Sequence, residues 1–163
     1  MELPNRKNIR LKNYDYSQNG AYFLTVCIKD RHELLGKIDV GTNCVRPQLS
    51  EHGMVVEKEI AILNATYEDV KVDKYIIMPN HIHMIILVTA EPGRTQFVPT
   101  ISRIIKQFKG AITKKTGVPL WQPRFHDHII RNEDEYQKAW QYIDENPLKW
   151  TEDKYYSGKK DIN

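Results

Sequence analysis

The sequence predicts an α+β fold: a small antiparallel sheet with helices packed on one of its faces. Three observations carry this reading. Segments rich in β-branched and aromatic residues are interleaved with segments whose apolar residues recur at helical spacing. Two of the strand-like segments are joined only by Pro79-Asn80, a turn signal too short for anything but an antiparallel return. Finally, 163 residues that are 40% hydrophobic and 28% charged, with no repeat or low-complexity tract, suit one globular domain. That domain spans residues 1–163, with its core at about 18–147 and a short charged, aromatic-dotted tail after 150.

Each element has its own signal. GAYFLTVCIK, at 20–29, reads as a strand. Residues 34–38 and 45–49 suit a hairpin that turns near Gly41. Ser50 caps a helix running from Glu51 to about Leu63, with Val55, Ile60 and Leu63 on its apolar face. Residues 70–78 and 81–88 are two strands on either side of the Pro79-Asn80 turn. Pro99 suits the first turn of the next helix, in which Ile101, Ile104, Ile105, Phe108 and Ile112 form the stripe and Gly117 the stop. Residues 125–131 are a short strand. Asn132, with Glu135 three residues on, opens a last helix that buries Tyr136, Ala139, Trp140 and Ile143 and ends at Pro147.

Composition excludes several classes. Two cysteines, Cys27 and Cys44, make no disulfide framework, and the N-terminus has no apolar signal region. The longest strongly apolar run, 84–88, is far too short to span a bilayer, so a cytoplasmic protein without a membrane partner is expected. Net charge is only +3, but it is segregated. No acid occurs from Pro92 to His126, a stretch that holds Arg94, Arg103, Lys106, Lys109, Lys114, Lys115 and Arg124. Arg6, Lys7, Arg10 and Lys12 add a basic N-terminus, and Arg131 ends the last strand. A field of this kind suits a polyanion, although a solvated basic helix face would read the same way.

The sharpest local feature is His81-Ile82-His83. Strand residues two apart point to one face, so both imidazoles project side by side, as two ligands of one metal must. The same spacing recurs in His126-Asp127-His128, and either pair could be plain strand histidines. A metal needs further donors. Tyr142 and Asn146 are four apart on the flank of the last helix; one offers a phenol, the other an amide oxygen. No phosphate-binding glycine loop, HExxH, GxSxG, paired CxxC or acidic two-metal cluster is present.

These residues carry a resemblance. MPNHIHMIILV resembles the HUH signature of single-tyrosine DNA transposases, in which U is a bulky apolar residue. WQPRFHDHIIRNEDEYQKAWQYIDENPLKW resembles the C-terminal half of that family, and RLKNYDYSQNGAYFLTV its first strand. The similarity covers roughly residues 8–150 and lies closest to the REP-associated tyrosine transposases; Trp150 departs from the small residue many relatives have there.

The resemblance implies a ferredoxin-like or RNA-recognition-motif-like HUH fold. It implies that His81, His83 and Asn146 hold Mg2+ or Mn2+. It implies that Tyr142 is the nucleophile in cleavage and rejoining of single-stranded or hairpin DNA, by a bacterial, nucleoid-associated monomer or homodimer. Other readings are a non-catalytic nucleic-acid-binding module of the same fold, a metal phosphodiesterase that uses water, and a replication or relaxase nickase.

Overall fold

The structure is a computed structural model that describes residues 20–39, 46–89 and 100–156. Arg6, Lys7, Arg10, Lys12, the turn near Gly41, and Pro99 lie outside the described residues. Six strands and three α-helices are described: β1 (Gly20–Cys27), β2 (Gly36–Lys37), β3 (Gln48–Leu49), α1 (Glu51–Thr66), β4 (Val70–Met78), β5 (His81–Val88), α2 (Ile101–Thr116), β6 (His126–Ile129) and α3 (Glu133–Glu145). The main sheet has the order β4-β5-β1-β6, with every neighbouring pair antiparallel. Leaving aside the small β2–β3 ladder, this is the β-α-β-β-α-β arrangement of ferredoxin-like folds.

The caps follow the sequence. Ser50 Oγ accepts from Gly53 N at 3.1 Å, and Thr100 Oγ1 from Arg103 N at 3.3 Å. Gly117, at φ 72°, closes α2 in the left-handed conformation. Asn132 Oδ1 accepts from Glu135 N at 2.9 Å, while Glu135 Oε2 reaches back to Arg131 N, also at 2.9 Å. This back-contact falls one residue earlier than in a standard capping box.

The expectation of helices on one face is corrected. Leu24, Val26, Ile28, Ile82, Met84 and Ile86 pack against α1 and α2. Ala21, Ile85 and Leu87 pack on the opposite face with Tyr136 and Ile143 of α3. The reason lies in β5, which is apolar at both parities except for its two histidines and needs cover on both sides. Two smaller differences follow from packing. Helix α1 runs a turn further, to Thr66, with Val56 buried deeper than Val55. The segment after Trp150, whose order the sequence leaves open, is docked: Trp150 and Tyr155 are buried with Cys27 and Met78, and Asp153 is buried as well.

Candidate active site

The odd-numbered residues of β5 and β1 build the floor of the site. His81 lies opposite Cys27, and His83 opposite Thr25, both on the α3 face. Both imidazoles are buried. Burial holds His81 well below its ordinary value, at about 3, against a smaller opposing effect of the Asn146 amide. Burial, then the neighbouring His81, lowers His83 as well. Both rings are therefore neutral near pH 7, the form that ligates a metal.

Their tautomers follow from their partners. Asn80 Nδ2 donates to Arg31 O at 3.2 Å and to Tyr155 O at 2.6 Å, so Asn80 Oδ1 is the atom facing His81 Nδ1, at 2.8 Å. That oxygen only accepts, so the His81 proton sits on Nδ1 and the Nε2 lone pair is free. His83 Nε2 lies 3.0 Å from it and donates to it. Thr25 Oγ1, 2.8 Å from His83 Nδ1, then donates to that nitrogen. A hydroxyl can accept as readily as donate, so Thr25 also supports the other tautomer, in which His83 Nε2 is free. The Arg31 carbonyl that anchors Asn80 belongs to a non-glycine pair in the left-handed region, Asp30 and Arg31, each at φ 58°.

Helix α3 brings Tyr142 and Asn146 to the histidines. The Tyr142 ring stands edge-on to His83, 5.1 Å between centroids, and to Phe23 at 5.9 Å. It is 42% exposed, so a substrate can reach the phenol. Burial, then Asp153, pushes its pKa above the ordinary value; Lys154 and Asn146 oppose them. Asn146 is only 4% exposed, and its Oδ1 has no hydrogen-bond donor. A buried oxygen without a donor beside two neutral imidazoles is a donor set that suits a divalent cation. The spacing of the imidazoles fits as well. Donors on adjacent vertices of an octahedral ion with bonds of about 2.1 Å stand about 3.0 Å apart.

One residue of the site left no trace in the sequence pattern. Donor atoms of His81, His83 and Asp153 all lie within 4.8 Å of one another, and no other such group of three occurs among the described residues. Tyr142, Asn146 and Asp153 line an open cleft of about 330 Å³ with Lys138 and Lys154. Neither lysine was singled out by charge patterning, because both sit among acids.

The described basic residues expected on a DNA surface do not line this cleft. Helix α2 lies across the sheet from the cleft. On it, Arg103, Lys106 and Lys114 are exposed. Lys109 instead donates to Gln122 O at 2.8 Å and Arg124 O at 3.1 Å, which ties down the loop before β6. Lys115 pairs with the buried Glu59. Arg124 and Arg131 are exposed on either side of β6. His126 and His128 share the site face, opposite Thr25 and Phe23, but both are exposed, and His128 Nε2 lies 3.3 Å from Glu135 Oε2.

No family model matches the chain. An uncharacterized protein from Haemophilus influenzae is 31% identical over 94% of both chains. A REP-associated tyrosine transposase from Escherichia coli is 29% identical, covering 82% of this chain and 70% of its own length. A solved REP-associated tyrosine transposase bound to a REP hairpin superposes with a TM-score of 0.62 at 22% identity, over 91% of this chain and 74% of that one. It shows the same α+β fold. No described helix is long and apolar enough to cross a membrane. Sequence similarity along four fifths of the chain, together with the same α+β fold, aligns this protein with the REP-associated tyrosine transposases.

Proposed function

We propose that the protein is a divalent-metal-dependent transposase that cleaves and rejoins single-stranded DNA, at sites flanked by hairpins, through a covalent bond to Tyr142. The observation that carries this is convergence. An exposed phenol from α3 stands 5.1 Å from a buried, neutral imidazole of β5, one helical turn from a buried amide oxygen that has no donor. His81 Nε2, His83 Nε2 and Asn146 Oδ1 would hold Mg2+ or Mn2+. When bound, the ion would polarise the scissile phosphate and neutralise developing charge.

The protein's own steps are these. Tyr142 Oη gives up its proton and forms a bond to phosphorus, while the bond from phosphorus to the 3′ oxygen breaks. The departing oxygen takes up a proton as a free 3′-hydroxyl, and the 5′-phosphate stays on Tyr142. Attack by another 3′-hydroxyl reverses the sequence, so the strand is rejoined without an external energy source. The raised Tyr142 pKa places the proton loss among the steps the site must assist. His81 and His83, fixed by Asn80 and Thr25, supply orientation. Exposed Lys138 and Lys154 in the cleft suit phosphates near the cut. Arg103, Lys106, Lys114, Arg124 and Arg131 suit duplex backbone further away. A hairpin ligand is proposed from the similarity to REP-associated tyrosine transposases and from the REP hairpin that the solved neighbour binds.

The test is denaturing electrophoresis of the protein incubated with Mn2+ and labelled hairpin-flanked single strands. The wild type should give a covalent adduct and a cut strand. Tyr142→Phe should give neither, with metal affinity retained. Cleavage by the Phe variant would make water the nucleophile. Binding without cleavage by the wild type would favour a non-catalytic module.

A further inference from the structure

We propose that Asp153 is a further ligand of the divalent ion, and that the segment from Trp150 to Tyr155 therefore docks as part of the metal shell. The inference rests on the metal reading of His81 and His83 and extends it to the C-terminal segment. Three observations support it.

The first is position. The Asp153 side chain is 3% exposed, and its Oδ2 lies 3.9 Å from His81 Nε2. That separation falls between the adjacent and opposite vertices of an octahedral ion, about 3.0 and 4.2 Å for bonds of about 2.1 Å. The second is orientation. Asp153 Oδ1 accepts from Tyr155 N at 2.8 Å, which turns the carboxylate so that Oδ2 is the oxygen near the histidine. A divalent ion beside this carboxylate and the two imidazoles would join donor atoms that all lie within 4.8 Å of one another.

The third is preorganisation. Trp150 lies 6.0 Å from the His81 ring on one side of Asp153, and Tyr155 4.5 Å from it on the other. Asn80 holds the Tyr155 carbonyl, and Arg31 Nη1 the Lys154 carbonyl at 3.2 Å. Asp153 is thus fixed by contacts on both flanks. A carboxylate beside two imidazoles and an amide gives a mixed donor set that suits Mn2+ and lowers the net charge of the loaded site by one.

The experiment measures Mn2+ affinity of the full chain, by electron paramagnetic resonance of free Mn2+, together with hydrogen exchange of residues 150–156 with and without the ion. Asp153→Asn has a single oxygen, which can serve Tyr155 N or the ion but not both; Asp153→Ala removes both contacts. The expected result is a loss of about tenfold for Asn and more for Ala. Ion-dependent protection of 150–156 should be seen in the wild type alone. Thermal melts verify that both variants fold. If both bind Mn2+ as the wild type does while His83→Ala does not, Asp153 is no ligand and the proposal falls, with the metal reading intact. If His83→Ala also binds normally, the metal reading falls and this proposal with it.

Discussion

Two histidine pairs with identical spacing lie on one face of one sheet, and only one of them is built as a site. His81 and His83 sit on β5, an interior strand, under α3 and the C-terminal segment. His126 and His128 sit on β6, an edge strand, in solvent. Registers put His83, Thr25 and His126 in one row across three strands, so parity does not separate them. Second partners do. Asn80 and Thr25 orient the rings of the first pair, whereas His128 lies beside a surface glutamate. Spacing puts two imidazoles on one face; burial and an orienting hydrogen bond on the far nitrogen suit the first pair to ligation.

The comparison breaks most sharply at the metal. His81→Ala or His83→Ala should lower Mn2+ affinity by more than about 100-fold, since loss of orienting partners alone costs about 10- to 100-fold. The double variant His126→Ala, His128→Ala should bind within about twofold of wild type. Titration calorimetry decides, and the reverse pattern would mean that the site lies on β6.

Acid is the next lever. His81 has a folded value of about 3 against an ordinary value of 6.5, so the unfolded chain binds its proton first as pH falls. Stability is therefore full above about pH 6.5 and declines from there toward pH 3, by up to about 1.4 kcal/mol per unit for each such histidine. Urea midpoints at pH 7 and pH 5, with chelator present, should fall more for wild type than for the variant His81→Gln, His83→Gln. Equal slopes would show that the buried pair is not the acid-sensitive element.

Thr25 sharpens the comparison within the first pair. Thr25→Val keeps the shape but removes the hydroxyl that must switch roles when His83 changes tautomer. Mn2+ affinity should drop by about tenfold, and Thr25→Ser should restore it. Equal binding by all three would leave Thr25 no part in orienting the ring.

The smallest effect concerns the two faces of the sheet. Arg103, Lys106 and Lys114 mutated to Ala should reduce hairpin affinity and flatten its salt dependence by at most about three units of slope, roughly one per phosphate contact. Cleavage at saturating DNA should not change. Lys138→Ala with Lys154→Ala should slow cleavage instead. An unaltered salt slope in the first variant would remove α2 from the DNA surface.

Much of this was legible in the chain. The bounds of β4 and β5 and the caps at Ser50 and Asn132 follow from local signals, whereas the grouping of His81 and His83 with Tyr142 and Asn146 was an expectation from the family resemblance. Contacts that join distant segments left no such pattern. Lys109 and Lys115 read as free cations because their partners, a loop carbonyl pair and Glu59, are remote in sequence. Asp153 meets His81 across more than seventy residues and looks like any tail acid. Thr25 did leave a trace: it is the one hydroxyl among the odd positions of GAYFLTVC. The second helical face was also visible in HIHMIILV, whose apolar residues occupy both parities.

The two-residue turn between β4 and β5 sets a counting rule for change in this protein. Even positions of β5 feed the core beneath α1 and α2; odd ones carry the imidazoles. One residue inserted after Asn80, with the β4–β5 ladder kept, would exchange the two sets, turning both histidines into the apolar interior and isoleucine into the cleft. Two inserted residues would restore parity and displace the pair by one pleat. Length variation at this turn is thus confined to steps of two, and even those separate Asn80 from the ring it orients.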